Sequence, residues 1–228
     1  MQKLISKLSF ALTVALCLIA LLLFPCQGMA QSAPSLGVVK LPEPRYEGSV
    51  SVEKALMERR SVRSYKDEPL TMAEVSQILW AAQGITEPKR GLRTAPAAKA
   101  VYMLETYVLP GNVVDLPMGL YRYQPRGHEL VRIADGDKKA DLFKAVGQAP
   151  IKNAPLAIVF AGNSEKSTNP NWPYYEAGHA AQNVYLQAAS LKLGTVVMAG
   201  FKPEEVKKAL NLPERETPLY IMPIGKKQ

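Results

Sequence analysis

The sequence predicts a three-layer α+β domain, and three features of the chain support that fold class. Segments with helical and strand-like patterns are interspersed along the chain, and no internal repeat is present. Residues 119–123 and 129–133 flank the turn sequence QPRGH and predict an antiparallel hairpin, which argues against a purely parallel sheet. The apolar run LAIVFAG, residues 156–162, is typical of a buried strand.

The first thirty residues have the pattern of an export signal. Lys3 and Lys7 precede an uncharged apolar run at residues 8–26, and the small residues of GMA at 28–30 come before Gln31. This pattern predicts a secretory signal peptide over residues 1–30 and a periplasmic or secreted mature protein. The alternative is an uncleaved membrane anchor at the N-terminus, because the apolar run is near the length that spans a bilayer.

The composition excludes several kinds of site. Both cysteines, Cys17 and Cys26, lie within the predicted signal, so the mature chain would contain no thiol nucleophile, disulfide or cysteine-ligated metal. The two histidines, His128 and His179, are too few for a multi-histidine metal site, and no metal is expected. The net charge of +8 suits an anionic ligand or a membrane surface. Nucleic acid is not expected, because aromatic and basic residues are not interleaved.

The remaining elements follow in order. Residues 31–48 contain three prolines and no clear period, which predicts a linker before one domain at residues 49–228. Ser51 is a good N-cap for a first helix. The sequence TMAE at 71–74 is a capping box, and it opens a helix that Gly84 closes. The pattern then predicts a polar loop at 84–99, strands at 101–109, 119–123, 129–133, 156–162, 195–200 and 218–225, and helices at 138–146, 175–191 and 203–210.

The common catalytic motifs are missing from the sequence. It contains no G-x-G-x-x-G after a strand, no G-x-x-x-x-G-K-[ST] and no G-x-S-x-G. Any chemistry is therefore expected to come from a bound cofactor. The stretch RRSVRSY, with Arg59, Arg60, Ser61 and Arg63, offers guanidinium groups and a hydroxyl that could bind a phosphate. A solvated basic patch is the alternative interpretation.

Four stretches of the chain, in this order, resemble the nitroreductase family and specifically its SagB-type dehydrogenase branch. They are ALMERRSVRSYKDEPLTMAEVSQILWAAQGIT, RTAPAAKAVYMLETYV, YYEAGHAAQNVYLQAASLKLGTVVMAGF and PLYIMPIG. The resemblance implies a mostly antiparallel sheet flanked by helices, in an intimate homodimer with two FMN sites at its interface. It also implies an FMN-dependent oxidoreductase that transfers hydride or electrons between a reduced donor, with NAD(P)H as a candidate, and a small organic acceptor. An exported flavin-binding module without turnover is the alternative.

The resemblance also assigns roles to residues of this chain. The FMN phosphate and ribityl chain would contact the arginine-rich stretch, and a further phosphate contact would come from the lysines after the last strand, unless these form a frayed basic tail. Backbone N–H groups would approach flavin N5, and a glutamine would bond the pyrimidine edge. In the order in which these roles are given, the residues are Arg59, Arg60, Ser61 and Arg63 for the phosphate and ribityl chain, Lys226 and Lys227 for the further phosphate contact, Ala199 and Gly200 for the N–H groups near N5, and Gln148 for the pyrimidine edge.

One loop departs from the family pattern. In relatives, a loop from the partner subunit usually begins Pro-Ser, whereas this chain has Pro96, Ala97 and Ala98 followed by Lys99. The hydroxyl is missing, so Ala97 or Ala98 would contact the flavin through the backbone. Lys99 could meet an anionic group or only solvent.

A Glu-x-x-His pattern occurs at Glu176 and His179 on the longest predicted helix. Such a pair can contribute to a di-iron site, but that site needs a second such motif and further carboxylates, which the sequence does not show. The interpretation preferred here is a histidine that packs on its helix. Tyr174 and Tyr175, just before, could line a substrate pocket, but interface or core positions are more usual for such residues.

Overall fold

The computed structural model of the chain describes residues 37–167 and 169–228. The predicted signal peptide, Cys17 and Cys26 and the beginning of the predicted linker lie outside the described residues. The strands are β1 (Gly37–Lys40), β2 (Ile85–Glu87), β3 (Leu92–Arg93), β4 (Leu104–Pro110), β5 (Gly119–Gln124), β6 (Glu129–Asp135), β7 (Leu156–Asn163), β8 (Leu193–Thr195) and β9 (Glu216–Lys226). The helices are α1 (Val52–Glu58), α2 (Met72–Gln83), α3 (Lys138–Val146), α4 (Ala149–Asn153), α5 (Trp172–Ser190) and α6 (Pro203–Leu210).

A seven-stranded sheet with the order β1-β6-β5-β4-β7-β9-β8 forms the centre of the domain. Every neighbouring pair in this sheet is antiparallel. Strand β7, between β4 and β9, is buried along its whole length, and its side chains alternate between two cores. Ile158 and Phe160 face α2 and α5, whereas Ala157 and Val159 face α3, α4 and α6. The α+β fold with a mostly antiparallel sheet between helical layers is therefore confirmed.

Local capping signals define several helix ends. The Ser51 side chain accepts a hydrogen bond from the Lys54 N–H at 3.2 Å, which caps α1. At the start of α2, Thr71 accepts from the Glu74 N–H at 3.2 Å, and the Glu74 carboxylate accepts from the Thr71 N–H at 2.9 Å. Both predicted caps are confirmed, because each depends on residues only three positions apart.

Three predictions made from sequence need correction. Part of the predicted linker, Gly37–Lys40, is strand β1, which pairs with β6 at the edge of the sheet. The predicted loop at 84–99 contains the short β2–β3 hairpin. The strand predicted at 195–200 is replaced by β8, which ends at Thr195. Beyond Thr195, the Val197 N–H bonds the Tyr185 hydroxyl of α5 at 2.8 Å, and Met198 forms an isolated bridge to Ile221 of β9.

Gly194 lies inside β8 and is needed for close packing there. A Cβ built at this position would meet the Val62 side chain at 2.6 Å. The absence of a side chain at Gly194 therefore lets the arginine-rich segment approach the edge of the sheet. Within residues 37–167 and 169–228, no helix has both the length and the apolar character needed to cross a membrane.

Candidate functional site

The arginine-rich segment leaves α1 and runs in an extended form along one edge of the sheet. Helix α1 ends at Glu58, and Arg59 is its C-cap, with a backbone N–H that donates to the Ala55 carbonyl. The Val62 N–H then bonds the Thr195 carbonyl of β8 at 2.9 Å, and the Lys66 N–H bonds the Lys226 carbonyl of β9 at 3.0 Å. The segment therefore lies between the end of β8 and the end of the chain, and brings residues that are far apart in sequence to one edge.

Tyr65 anchors this segment to the sheet through its buried side chain. Its side chain is buried, and its hydroxyl donates to the Val62 carbonyl at 2.9 Å and lies 3.2 Å from the Pro223 carbonyl of β9. Burial raises the pKa of the Tyr65 hydroxyl well above its usual value, so the hydroxyl stays a donor. Ser61, Arg63 and Ser64, which precede Tyr65 in the segment, are exposed.

The three arginines of the segment have different surroundings. The Arg60 guanidinium donates to the Met57 and Arg59 carbonyls at 2.8 and 2.7 Å, so it caps the end of α1. The Arg59 guanidinium lies over the Tyr185 ring, 5.0 Å from its centroid. Arg63 makes no side-chain hydrogen bond to any described residue, and none of the three forms an ion pair with a described carboxylate. Arg59 and Arg63 are thus the two arginines of the segment with the most capacity for an anionic ligand.

Tyr185 on α5 connects the parts of this edge, and sequence reasoning did not identify it. Its hydroxyl lies 3.0 Å from Ser61 Oγ and accepts the Val197 N–H, while its ring contacts Arg59. One side chain therefore links the arginine-rich segment to the stretch that carries Ala199 and Gly200. No local pattern distinguishes Tyr185 from any other half-buried tyrosine on a helix, so the sequence offered no signal for it.

Ala199 and Gly200 lie on an exposed stretch after Met198. No described residue accepts a hydrogen bond from the N–H of either residue. A Cβ built at Gly200 would meet no heavy atom within 4 Å, so the space beside this backbone is open. Gln148, which precedes α4, donates from Nε2 to the Gly200 carbonyl at 3.0 Å. The structure thus brings the predicted glutamine and the predicted backbone donors together.

The two lysines at the end of β9 also differ. The Lys226 ammonium forms an ion pair with Glu74, so it joins β9 to the capping box of α2. Burial alone would raise the pKa of Glu74, but the bonds from Lys226 and Thr71 outweigh burial and hold that pKa below its usual value. Lys227 is half-buried and forms no ion pair with a described carboxylate. Of the two, Lys227 has the ammonium that is available to a ligand.

The Pro96–Ala98 stretch contacts α5 at a different position from the arginine-rich segment. The Pro96 carbonyl accepts from His179 Nδ1 at 3.0 Å. His179 precedes Tyr185 by six residues, or about 9 Å along the helix axis. No hydrogen bond or ion pair among the described residues joins this stretch to the arginine-rich segment. The single chain therefore gathers most of the predicted residues at the sheet edge but leaves this loop apart from them.

Comparison with known proteins identifies the family. The profile of the nitroreductase family matches residues 56–226. A protein of Methanocaldococcus jannaschii named as a nitroreductase, MJ1384, is 42% identical over 185 residues, which cover 78% of this chain and 92% of that protein. The chain belongs to the nitroreductase family.

Solved structures agree with this assignment to the nitroreductase family. A crystal structure from Ralstonia eutropha JMP134, described as a nitroreductase, superposes with a TM-score of 0.73 at 33% identity and covers 86% of this chain and 93% of that one. An FMN-dependent nitroreductase from Clostridium difficile R20291 gives a TM-score of 0.56 at 25% identity, covering 76% of this chain and 86% of that one.

In this nitroreductase-family chain, the Glu-x-x-His pattern serves hydrogen bonding to a loop. The buried Glu176 carboxylate accepts the Met103 N–H at 2.7 Å and Gln83 Nε2 at 3.1 Å. Among residues 37–167 and 169–228, no group of three or more His, Cys, Asp or Glu side chains is arranged to hold a metal ion. Burial raises the pKa of Glu176, although its hydrogen-bond donors and Arg93 oppose the shift.

A cavity of about 450 Å³ lies away from the predicted site residues. It is bounded by residues 45–52, by Gln77 and Trp80 of α2 and by Leu186 of α5. None of the residues predicted to bind FMN lines it. The sheet edge with Arg59 and Arg63, rather than this cavity, is therefore the candidate functional site.

Proposed function

We propose that the chain is an FMN-dependent oxidoreductase of the SagB-type dehydrogenase branch. It would transfer hydride or electrons between a reduced donor, such as NAD(P)H, and a small organic acceptor. One observation carries the proposal. The guanidinium groups of Arg59 and Arg63, without ion-pair partners among the described residues, lie on the same sheet edge that leads to the open backbone at Ala199 and Gly200.

The residues at this edge fit the chemistry of FMN. A phosphate dianion needs nearby positive charge and hydrogen-bond donors, and Arg59, Arg63 and the Ser61 hydroxyl provide both. A flat ring system needs backbone that can be approached closely, and the open space at Gly200 provides it. The similarity to the FMN-dependent nitroreductase of C. difficile supports the same cofactor.

Each group of residues would have a distinct task when FMN is bound. Arg59 and Arg63 would hold the phosphate, and Lys227 would add a positive charge nearby. The N–H groups of Ala199 and Gly200 would be directed at a ring atom whose charge changes during the reaction. FMN would supply the two-electron chemistry that the side chains of this chain lack. Arg60 and Lys226 would support the site indirectly, since their charged groups are bonded to α1 carbonyls and to Glu74.

We further propose that the site is completed by a second copy of the chain. The Pro96–Ala98 stretch is separated from the arginines within one chain, as expected if it contacts the flavin of a partner. Helix α1 exposes Val52, Leu56 and Met57, which are 65, 51 and 68% exposed. Such neighbouring apolar side chains are typical of a surface that becomes buried on association. The proposed state is therefore a homodimer with two sites.

The proposed location is outside the cytoplasm. The pattern of residues 1–30 supports export, with N-terminal membrane anchoring as the alternative. Nicotinamide cofactors are scarce in such compartments, so an exported enzyme would need a different reduced donor there. A protein retained in the cytoplasm could use NAD(P)H directly.

A flavin-binding module without turnover is the second candidate. The observation that favours it is the loop from Pro96 to Ala100, in which alanine replaces the usual serine. The absorbance spectrum of the purified protein tests both candidates. A bound flavin that NADPH reduces is expected for the enzyme, whereas a bound flavin that no donor reduces would indicate the module. Absence of flavin, even after addition of FMN, would exclude both.

A further inference from the structure

The loop after Pro96 has an unfavourable backbone conformation. Lys99, Ala100 and Tyr102 have φ values of 53°, 55° and 20°, although none of them is glycine. A Cβ atom disfavours positive φ, so three such residues within four positions must be held by contacts outside the loop. The part of the chain that supplies these contacts therefore determines the shape of the loop.

One face of α5 contacts the beginning, middle and end of this loop. Trp172, Glu176 and His179 are spaced at i, i+4 and i+7, so they share a helix face. His179 Nδ1 donates to the Pro96 carbonyl at 3.0 Å, and the Lys99 ammonium lies 5.4 Å from the centroid of the Trp172 ring. Glu176 accepts the Met103 N–H at 2.7 Å, just beyond the strained residues.

Glu176 also acts on the loop through a second route. An ionised carboxylate only accepts hydrogen bonds, so Gln83 must direct its NH₂ group toward Glu176, at 3.1 Å. The Gln83 carbonyl oxygen then faces Arg93 and accepts from its guanidinium at 2.8 Å. That guanidinium lies 4.3 Å from the centroid of the Tyr102 ring. The backbone N–H of Arg93 donates to the Tyr102 hydroxyl at 2.9 Å.

We propose that Glu176 is a positioning residue of the flavin site, which holds the loop from Pro96 to Tyr102 in the shape that meets the flavin of the partner subunit. This inference rests on the proposed function. Glu176 acts at two points, directly on Met103 and through Gln83 and Arg93 on Tyr102. It touches neither substrate nor cofactor. Removing its charge while keeping its size should loosen this loop and leave the sheet intact.

The test compares Glu176→Gln with the wild type by hydrogen exchange of the full chain and by titration with FMN. The variant offers one acceptor oxygen instead of two, so the Met103 N–H, Gln83 or Arg93 loses its partner. Exchange at residues 97–103 should rise about tenfold and change less than about twofold in β7, with FMN affinity reduced about tenfold, or ~1.4 kcal/mol.

A second variant covers the case in which Glu176→Gln fails to fold. Tyr102→Phe, which removes only the acceptor of the Arg93 backbone N–H, should change the exchange of the loop and the FMN affinity in the same directions. Gln182→Ala, at an exposed position of α5, is the matched control and should match the wild type.

The outcomes separate the two proposals. A wild-type chain that binds no FMN overturns the proposed function and with it the role of Glu176 at a flavin site. If the wild type binds FMN, unchanged exchange or unchanged FMN affinity in the variants overturns the role of Glu176 alone. A uniform rise of exchange across the sheet would show that Glu176 supports the whole fold, and would also overturn the proposal.

Discussion

Replacing Arg63 with alanine tests whether the arginine-rich segment binds the FMN phosphate. Arg63 is exposed and forms no ion pair with a described carboxylate, so the replacement breaks no salt bridge of the described fold. Exposed substitutions of this kind usually change stability by no more than about 0.5 kcal/mol. The effect on a phosphate ligand should therefore be separable from any effect on folding.

The expected magnitude follows from one charge-assisted hydrogen bond. Such a bond contributes about 1.5–3 kcal/mol. At ~1.4 kcal/mol per factor of ten, Arg63→Ala should weaken FMN binding about tenfold to a hundredfold. Riboflavin, which has no phosphate, should bind the wild type weakly and be little affected by the substitution.

Arg60→Ala is the matched control, because it removes the same charge from a neighbouring position. The Arg60 guanidinium already bonds the Met57 and Arg59 carbonyls, so its removal should cause a smaller loss that is specific to FMN. Flavin fluorescence titrations of both variants, with FMN and with riboflavin, measure the difference. Equal losses for the two ligands would mean that Arg63 supports the fold. No loss for either would leave the segment as a solvated basic patch and refute the phosphate site.

Further predictions concern stability, assembly and location. Glu74→Gln should make the melting temperature depend less on pH below about pH 4. The depressed pKa of Glu74 gives the wild type stability that is present above the unfolded pKa and is lost as the pH falls through the folded pKa. Burial lowers the pKa of His128, so wild-type stability should fall as the pH drops below about 6.5, and His128→Gln should reduce that slope; an unchanged slope would contradict this reasoning. Light scattering should show a dimer that Leu56→Lys converts to monomer, whereas a stable wild-type monomer that holds FMN would contradict the shared site. A reporter fused to residues 1–35 should leave the cytoplasm, and its retention there would count against export.

Most of the secondary structure could be predicted because its signals are local. Ser51 and the Thr71–Glu74 box each specify a helix start within four residues, and the structure confirms both. The continuous apolar run of β7 and the hairpin of β5 and β6 also depend on neighbouring residues. Errors arose where distant partners decide the outcome. Strand β1 exists because β6 offers it an edge, which no pattern within residues 37–40 could reveal.

The candidate site divides in the same way. The sequence by itself determined the family and the types of residue available, since the arginine-rich stretch and the MAGF segment are contiguous in the chain. Only the tertiary structure decided which partner each charged side chain has. Arg60 is bonded to carbonyls of α1 and Lys226 to Glu74, while Arg59 lies on the ring of Tyr185. These choices depend on contacts between residues up to 152 positions apart in the sequence, which form only when the sheet and helices pack.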